Sequence, residues 1–180
     1  MEELIKTIEK LSEKNIVDYL FIGVPILISV VAIFISIATA RKQNKIALFE
    51  RRFKCLSQMQ MVFTFAGVIK GSKDYILILQ LFDAYWGTDA SLHKGNLRAI
   101  KTKSQLMLIV DEIVQSKFLF KCKYTVSPVD LASAFHSVVI GCIGENVTDD
   151  MTKKIEELCN LCDEFKKKDY PELEKQTKIK

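Results

Sequence analysis

The chain has 180 residues, room for one ordinary domain plus a membrane segment and too little for a second independent core. Hydrophobic residues make up 49% and charged ones 27%, which excludes a disordered chain and a polytopic membrane protein, and the net charge of +4 lies mostly beside one apolar segment rather than on a broad basic face, so no nucleic-acid partner is expected. Only 7 Gly and 3 Pro punctuate the chain, which disfavours the many short strands of a sandwich or barrel and predicts an all-α fold.

Residues 1–18 place Leu4, Ile8 and Leu11, and less regularly Ile5 and Ile16, among charges. This is a short amphipathic tail that either lies on the outer leaflet or frays in solvent. Residues 19–40, YLFIGVPILISVVAIFISIATA, are 22 positions without a charge. At 1.5 Å per residue they reach ~33 Å, enough to cross a hydrocarbon core, and exceed the usual length of a buried soluble helix. Pro25 sits in the first turns, where a missing amide donor costs least. Ala38-Thr39-Ala40 imitates a signal-peptidase site, but the 18 residues before the segment carry three lysines and five acids, a poor positive flank for a cleaved signal.

After the segment, Arg41, Lys42, Lys45, Arg51, Arg52 and Lys54 stand against the single acid Glu50. This asymmetry predicts a single-pass protein of the inner (plasma) membrane, with an exported N-terminus and a cytosolic C-terminal domain. Arg41, Lys42 and Lys45 are near enough to meet anionic headgroups. Along the segment Ala32, Ser36 and Ala40 recur every four residues, a small-residue face that permits close approach of another helix and hence a homo-oligomer.

No Gly or Pro falls between Ile26 and Ala66, so the membrane helix is expected to continue into the domain without a break, with Phe49, Phe53, Leu56 and Phe63 on its buried stripe. Ser72 is expected to cap a second helix with Tyr75, Leu79, Phe82 and Trp86 inward, ending at Gly87. Residues 88–96 read as a loop holding His93. A third helix over 97–117 carries Ile100, Met107, Val110, Ile113 and Val114 on one side. Ser127-Pro128-Val129-Asp130 starts a fourth that runs to about Gly141. Thr148 caps a fifth, with Met151, Ile155, Leu158, Cys162 and Phe165 inward and Lys166 to Lys168 at its negative end. The chain thus divides into an exported tail (1–18), a transmembrane helix (19–40), a cytosolic domain of about five helices (41–170) and a charged tail, docked or frayed (171–180).

Five cysteines, Cys55, Cys122, Cys142, Cys159 and Cys162, are odd in number and mostly interrupt apolar runs, as buried free thiols do in reducing compartments. Cys159-Asn160-Leu161-Cys162 is a lone C-x-x-C, and neither Cys122, Cys142 nor His136 supplies a second ligand pair, so core packing is expected there rather than zinc. His136 and His93 have no acid-base partner that spacing can place. Asn146-Val147-Thr148 matches a glycosylation sequon that the expected cytosolic side would never expose to that machinery. No phosphate loop or nucleophile elbow occurs. No catalytic residue, cofactor, metal or small-molecule substrate is therefore expected.

Lys42-Gln43-Asn44-Lys45-Ile46-Ala47-Leu48-Phe49-Glu50-Arg51-Arg52-Phe53, Lys117-Phe118-Leu119-Phe120 and the aromatic ending at 165–173 resemble a widespread group of uncharacterised bacterial and phage-borne single-pass membrane proteins. These carry a juxtamembrane KQN…LFEKR-like phrase, an FLF before their last helices and a small cytosolic helical domain. The chain departs from them at Phe53-Lys54-Cys55-Leu56, where a tyrosine often follows. The resemblance covers most of the chain from residue 19 and implies no active site; members often look like accessory or mobile-element genes, which implies phage exclusion or defence.

Together these features point first to a non-enzymatic, membrane-anchored helical interaction module that binds a partner protein or itself beside the bilayer. The alternatives are a membrane-disrupting effector acting through oligomerised membrane helices and, third, a cryptic enzyme.

Overall fold

The computed structural model describes residues 2–6, 16–87, 96–144 and 149–177, and these form helices without a strand among them. The expected all-α class is observed. After α1 (residues 2–6) come α2 (Ile16–Ile69), α3 (Tyr75–Trp86), α4 (Asn96–Leu119), α5 (Pro128–Ile143), α6 (Asp149–Lys168) and α7 (Tyr170–Lys175). The chain divides into two compact units, Met1–Ala47 and Leu48–Lys180. The expected loop with His93, the Thr148 cap and the sequon lie outside the described residues, as does most of the amphipathic tail.

In the first unit the side chains described beyond Gly23 are exposed, among them Ile26, Leu27, Ile28, Ile33, Phe34 and Ile35. Among the described residues one helix, α2, is long and apolar enough to cross a membrane. Pro25 lies inside it, and the Ser29 hydroxyl donates to the Pro25 carbonyl at 2.7 Å, which satisfies that polar group within the helix. The helix is unbroken through residues 40–49, as the lack of Gly and Pro there requires.

The second unit is built around the C-terminal half of α2. Phe65 stands edge-on to Phe82, Tyr85, Trp86 and Phe135 at ring-centre distances of 5.5 to 6.4 Å. Such pairings add to the roughly 1.5–3 kcal/mol that burying each ring contributes. The Trp86 indole donates to Gln58 Oε1 at 2.8 Å, so the one polar atom of that ring is satisfied. Asp83, buried on α3, pairs with Arg98 at the start of α4 at 3.3 Å.

Several sequence expectations need correction here. The cap of α3 is Asp74, whose carboxylate accepts the amides of Ile76 and Leu77 at 2.9 and 3.2 Å; Ser72 instead accepts the amide of Asp74. Phe53 is 62% exposed, because Arg52 and Cys55 turn inward in its place. On α4 the buried face is Thr102, Leu106, Ile109, Ile113 and Ser116, while Ile100 and Met107 are 62% and 57% exposed. The apolar residues of that helix outnumber the positions its neighbours can cover, so periodicity picked a stripe partly on the outer side.

Other expectations hold. Ser127 accepts the Val129 amide and starts α5 with Pro128 in its first turn, and the helix runs to Ile143. Met151, Ile155, Leu158, Cys162 and Phe165 are all buried along α6. The chain end through residue 177 is docked: Leu173 is buried, and the Gln176 side chain accepts the Lys121 amide at 3.0 Å and donates to the Lys121 carbonyl at 3.1 Å.

Candidate functional site

The two units offer different surfaces. In the first, Ala32, Ser36 and Ala40 are all exposed on α2. Their four-residue spacing puts them on one face, where the absence of bulk lets a second helix come close.

The basic residues after that face do not act alike. Arg41, Lys42, Lys45 and Arg51 are exposed. Arg52 is half-buried: its Nε–H donates to the Leu119 carbonyl at 2.8 Å, its terminal nitrogen to the Gln176 carbonyl at 3.2 Å, and its guanidinium sits 5.6 Å over the Phe120 ring. It therefore closes the C-terminal end of α4, where carbonyls lack helical partners and a cation is favoured. Counting it among the juxtamembrane bases, with Arg41, Lys42, Lys45 and Arg51, missed this, since spacing alone does not reveal which way a side chain turns.

Asp169, at the turn between α6 and α7, makes a comparable tie. Its buried carboxylate accepts the amides of Thr125 and Val126 at 2.7 and 2.9 Å, so the segment between α4 and α5 is held by a charged acceptor. No sequence signal marked it.

The thiols are packed rather than poised. Burial pushes Cys55 up to about 12, with Glu112 adding to the shift, and pushes Cys142 up to about 11. Cys122, Cys159 and Cys162 are also raised, again chiefly by burial. A thiol held neutral is a poor nucleophile and a poor metal ligand. Cys55 Sγ donates to the Glu112 carbonyl at 3.3 Å and Cys159 Sγ to the Ala66 carbonyl at 3.2 Å. Both members of the C-x-x-C are buried in the core, as expected. Among the described residues no group of three or more His, Cys, Asp or Glu is arranged to hold a metal ion.

Two surface clefts flank α5. One of about 270 Å³ is apolar, walled by Met107, Val110, Val114, Val129 and Ala132, with His136 at its edge and no carboxylate in its lining. The other, about 390 Å³, lies between α5 and α6 and mixes Asp130, Ser133, Ser137, Lys154 and Glu157. Lys154 there is already paired with Asp150 at 2.6 Å.

Phe118 is the most exposed large apolar residue described, at 81%. It follows buried Ser116 by two residues on α4, roughly 200° around the helix, so the packing that turns Ser116 inward leaves Phe118 outside. No known family, curated protein or solved structure matches this chain.

Proposed function

We propose that the chain is a non-enzymatic interaction module anchored by α2 in the inner membrane, with an exported N-terminus and a cytosolic helical domain that binds a partner protein or a second copy. The observation that carries this reading is the run of exposed apolar side chains over residues 24–37, followed at once by Arg41, Lys42 and Lys45. Such a surface is stable only against lipid or another apolar helix, and the bases that follow it favour the cytosolic side. The neutral, packed thiols support binding rather than nucleophilic chemistry. The resemblance to mobile-element proteins supports phage exclusion as the setting, which a plaque assay on expressing cells reads.

The test is a pair of reporter fusions combined with alkaline carbonate extraction. A reporter after Lys180 should behave as cytosolic, one before Met1 should behave as exported, and the chain should stay in the carbonate pellet. An exported C-terminal reporter reverses the orientation, and release by carbonate removes the anchor.

A second reading is favoured by the exposed small-residue face: oligomerised α2 helices that make the membrane leak. Dye release from vesicles carrying the full chain, absent for the interaction module, separates the two.

A further inference from the structure

We infer that the outer face of α4 is an interface between two copies of this chain, packed antiparallel so that Asp111 of each copy meets Ser104 and Lys103 of the other. The assignment rests on the interaction-module reading above and deepens it by naming the partner and the surface.

The amphipathicity of α4 is inverted. Its buried side is Thr102, Leu106, Ile109, Ile113 and Ser116, two of the five polar, while Ile100, Met107, Leu108 and Phe118 are 62%, 57%, 60% and 81% exposed. At about 100° per residue these four lie within a stripe roughly 100° wide, on the side opposite Leu106, Ile109 and Ile113. Met107 also walls the apolar cleft with Val110, Val114 and Val129, which carries the apolar surface on towards α5. Single exposed apolar residues need no explanation. A helix that turns its larger apolar side chains outward along its length is built to be covered, and Met and Phe are enriched where proteins meet.

Polarity selects a second copy as the cover. Ser104 and Asp111 are exposed on the same stripe, seven residues apart, on either side of Met107 and Leu108. A twofold axis passing beside Met107 and Leu108 sets the Ser104 hydroxyl of one copy against the Asp111 carboxylate of the other, twice, with exposed Lys103 next to each carboxylate. Gln115 orients that carboxylate, donating to it at 2.7 Å. The same arrangement brings Ile100 at one end of the stripe towards Phe118 at the other end of the second copy, and it sets the two helix dipoles in opposition. Parallel packing instead stacks Asp111 on Asp111 and Lys103 on Lys103, which like charges disfavour. From Ile100 to Phe118 the stripe runs about 27 Å, enough to bury about 1,200 Å² over the two copies, the low end of specific interfaces.

The experiment uses the full chain in detergent with Ser36→Leu and Ala40→Leu, which fill the small-residue face of the membrane helix, and Cys122→Ser, which removes the half-exposed native thiol. Single cysteines are placed on α4 and oxidised with copper phenanthroline. Met107→Cys, beside the axis, should crosslink to itself. Ile100→Cys and Phe118→Cys should each remain monomeric alone and crosslink when the two chains are mixed. Thr64→Cys, exposed on α2, gives the background. Without added cysteines, Asp111→Lys should weaken dimerisation in light scattering about tenfold, and Lys103→Glu added to it should restore the dimer. Unchanged circular dichroism shows that each variant is folded.

Absence of α4 crosslinks above the Thr64→Cys background overturns the interface. Crosslinking of Ile100→Cys with itself overturns the antiparallel arrangement. Dye release from vesicles with the α4 crosslinks intact overturns the interaction-module reading and leaves the dimer standing. A chain that neither releases dye nor crosslinks through α4 overturns the dimer and leaves that reading with a different partner.

Discussion

Arg52 on α2 donates its Nε–H to the carbonyl of Leu119, 67 residues later, at 2.8 Å. The same guanidinium reaches the Gln176 carbonyl and covers the Phe120 ring, so one side chain ties the first helix of the second unit to the end of α4 and to the turn after α7. Removing it as Arg52→Ala should cost roughly 2–3 kcal/mol, because two carbonyls lose a charged donor. Arg52→Lys should recover less than half of that, since a single ammonium cannot fork to both carbonyls and lie flat on the ring. Chemical denaturation of the full chain in detergent, followed by helical circular dichroism, measures both. A silent Arg52→Lys would mean that only the positive charge matters.

Asp169 makes a second tie with different logic. Both of its oxygens accept backbone amides, so Asp169→Ala leaves the Thr125 and Val126 N–H groups without partners at a cost of roughly 2–4 kcal/mol. Asp169→Asn should be nearly as damaging, because the amide that replaces one oxygen is a donor facing a donor. Denaturation midpoints of the two variants lying within about 1 kcal/mol of each other support this account. An asparagine variant with wild-type stability contradicts it.

The buried thiols predict the response to alkali. Unfolded cysteines lose their protons near 9, while folded Cys142 and Cys55 keep theirs to about 11 and about 12. Between those limits the folded state binds more protons than the unfolded one, so stability is fully present below pH 9 and falls as pH rises. Each thiol contributes a slope of about 1.4 kcal/mol per pH unit in that window. Cys55→Ala should flatten the decline, apart from a uniform loss for the missing sulfur. At pH 8, iodoacetamide should modify half-exposed Cys122 first, and the four buried thiols only after denaturation. Rapid labelling of Cys159 or Cys162 in the native chain would show that the C-x-x-C is reachable.

On the membrane helix, Ser36→Leu with Ala40→Leu keeps the segment apolar but fills the small-residue face. Disulfide-independent crosslinking in vesicles should then yield several-fold less dimer, with unchanged carbonate resistance. Dimer at the original level would assign self-association, if it occurs, to another surface.

The helical class, the long apolar helix and the inward stripe of α6 were legible in the residues alone, for a shared reason: each is written as a periodic or contiguous pattern within one segment. The 22 uncharged residues at 19–40 need no partner to be recognised. Met151, Ile155, Leu158, Cys162 and Phe165 lie opposite acids and lysines, so their period names one face only. α4 was ambiguous, because Ile100, Met107 and Leu108 extend its apolar residues around the cylinder, and only the neighbours that cover Leu106, Ile109 and Ile113 decide which side is inside. Arg52 and Asp169 were illegible for a stronger reason. Their partners are backbone groups 67 and 44 residues away, and every residue type offers such groups, so no spacing announces the pairing. The exposure of Phe53 and Phe118 is decided in the same way, by which adjacent side chain the tertiary packing turns inward.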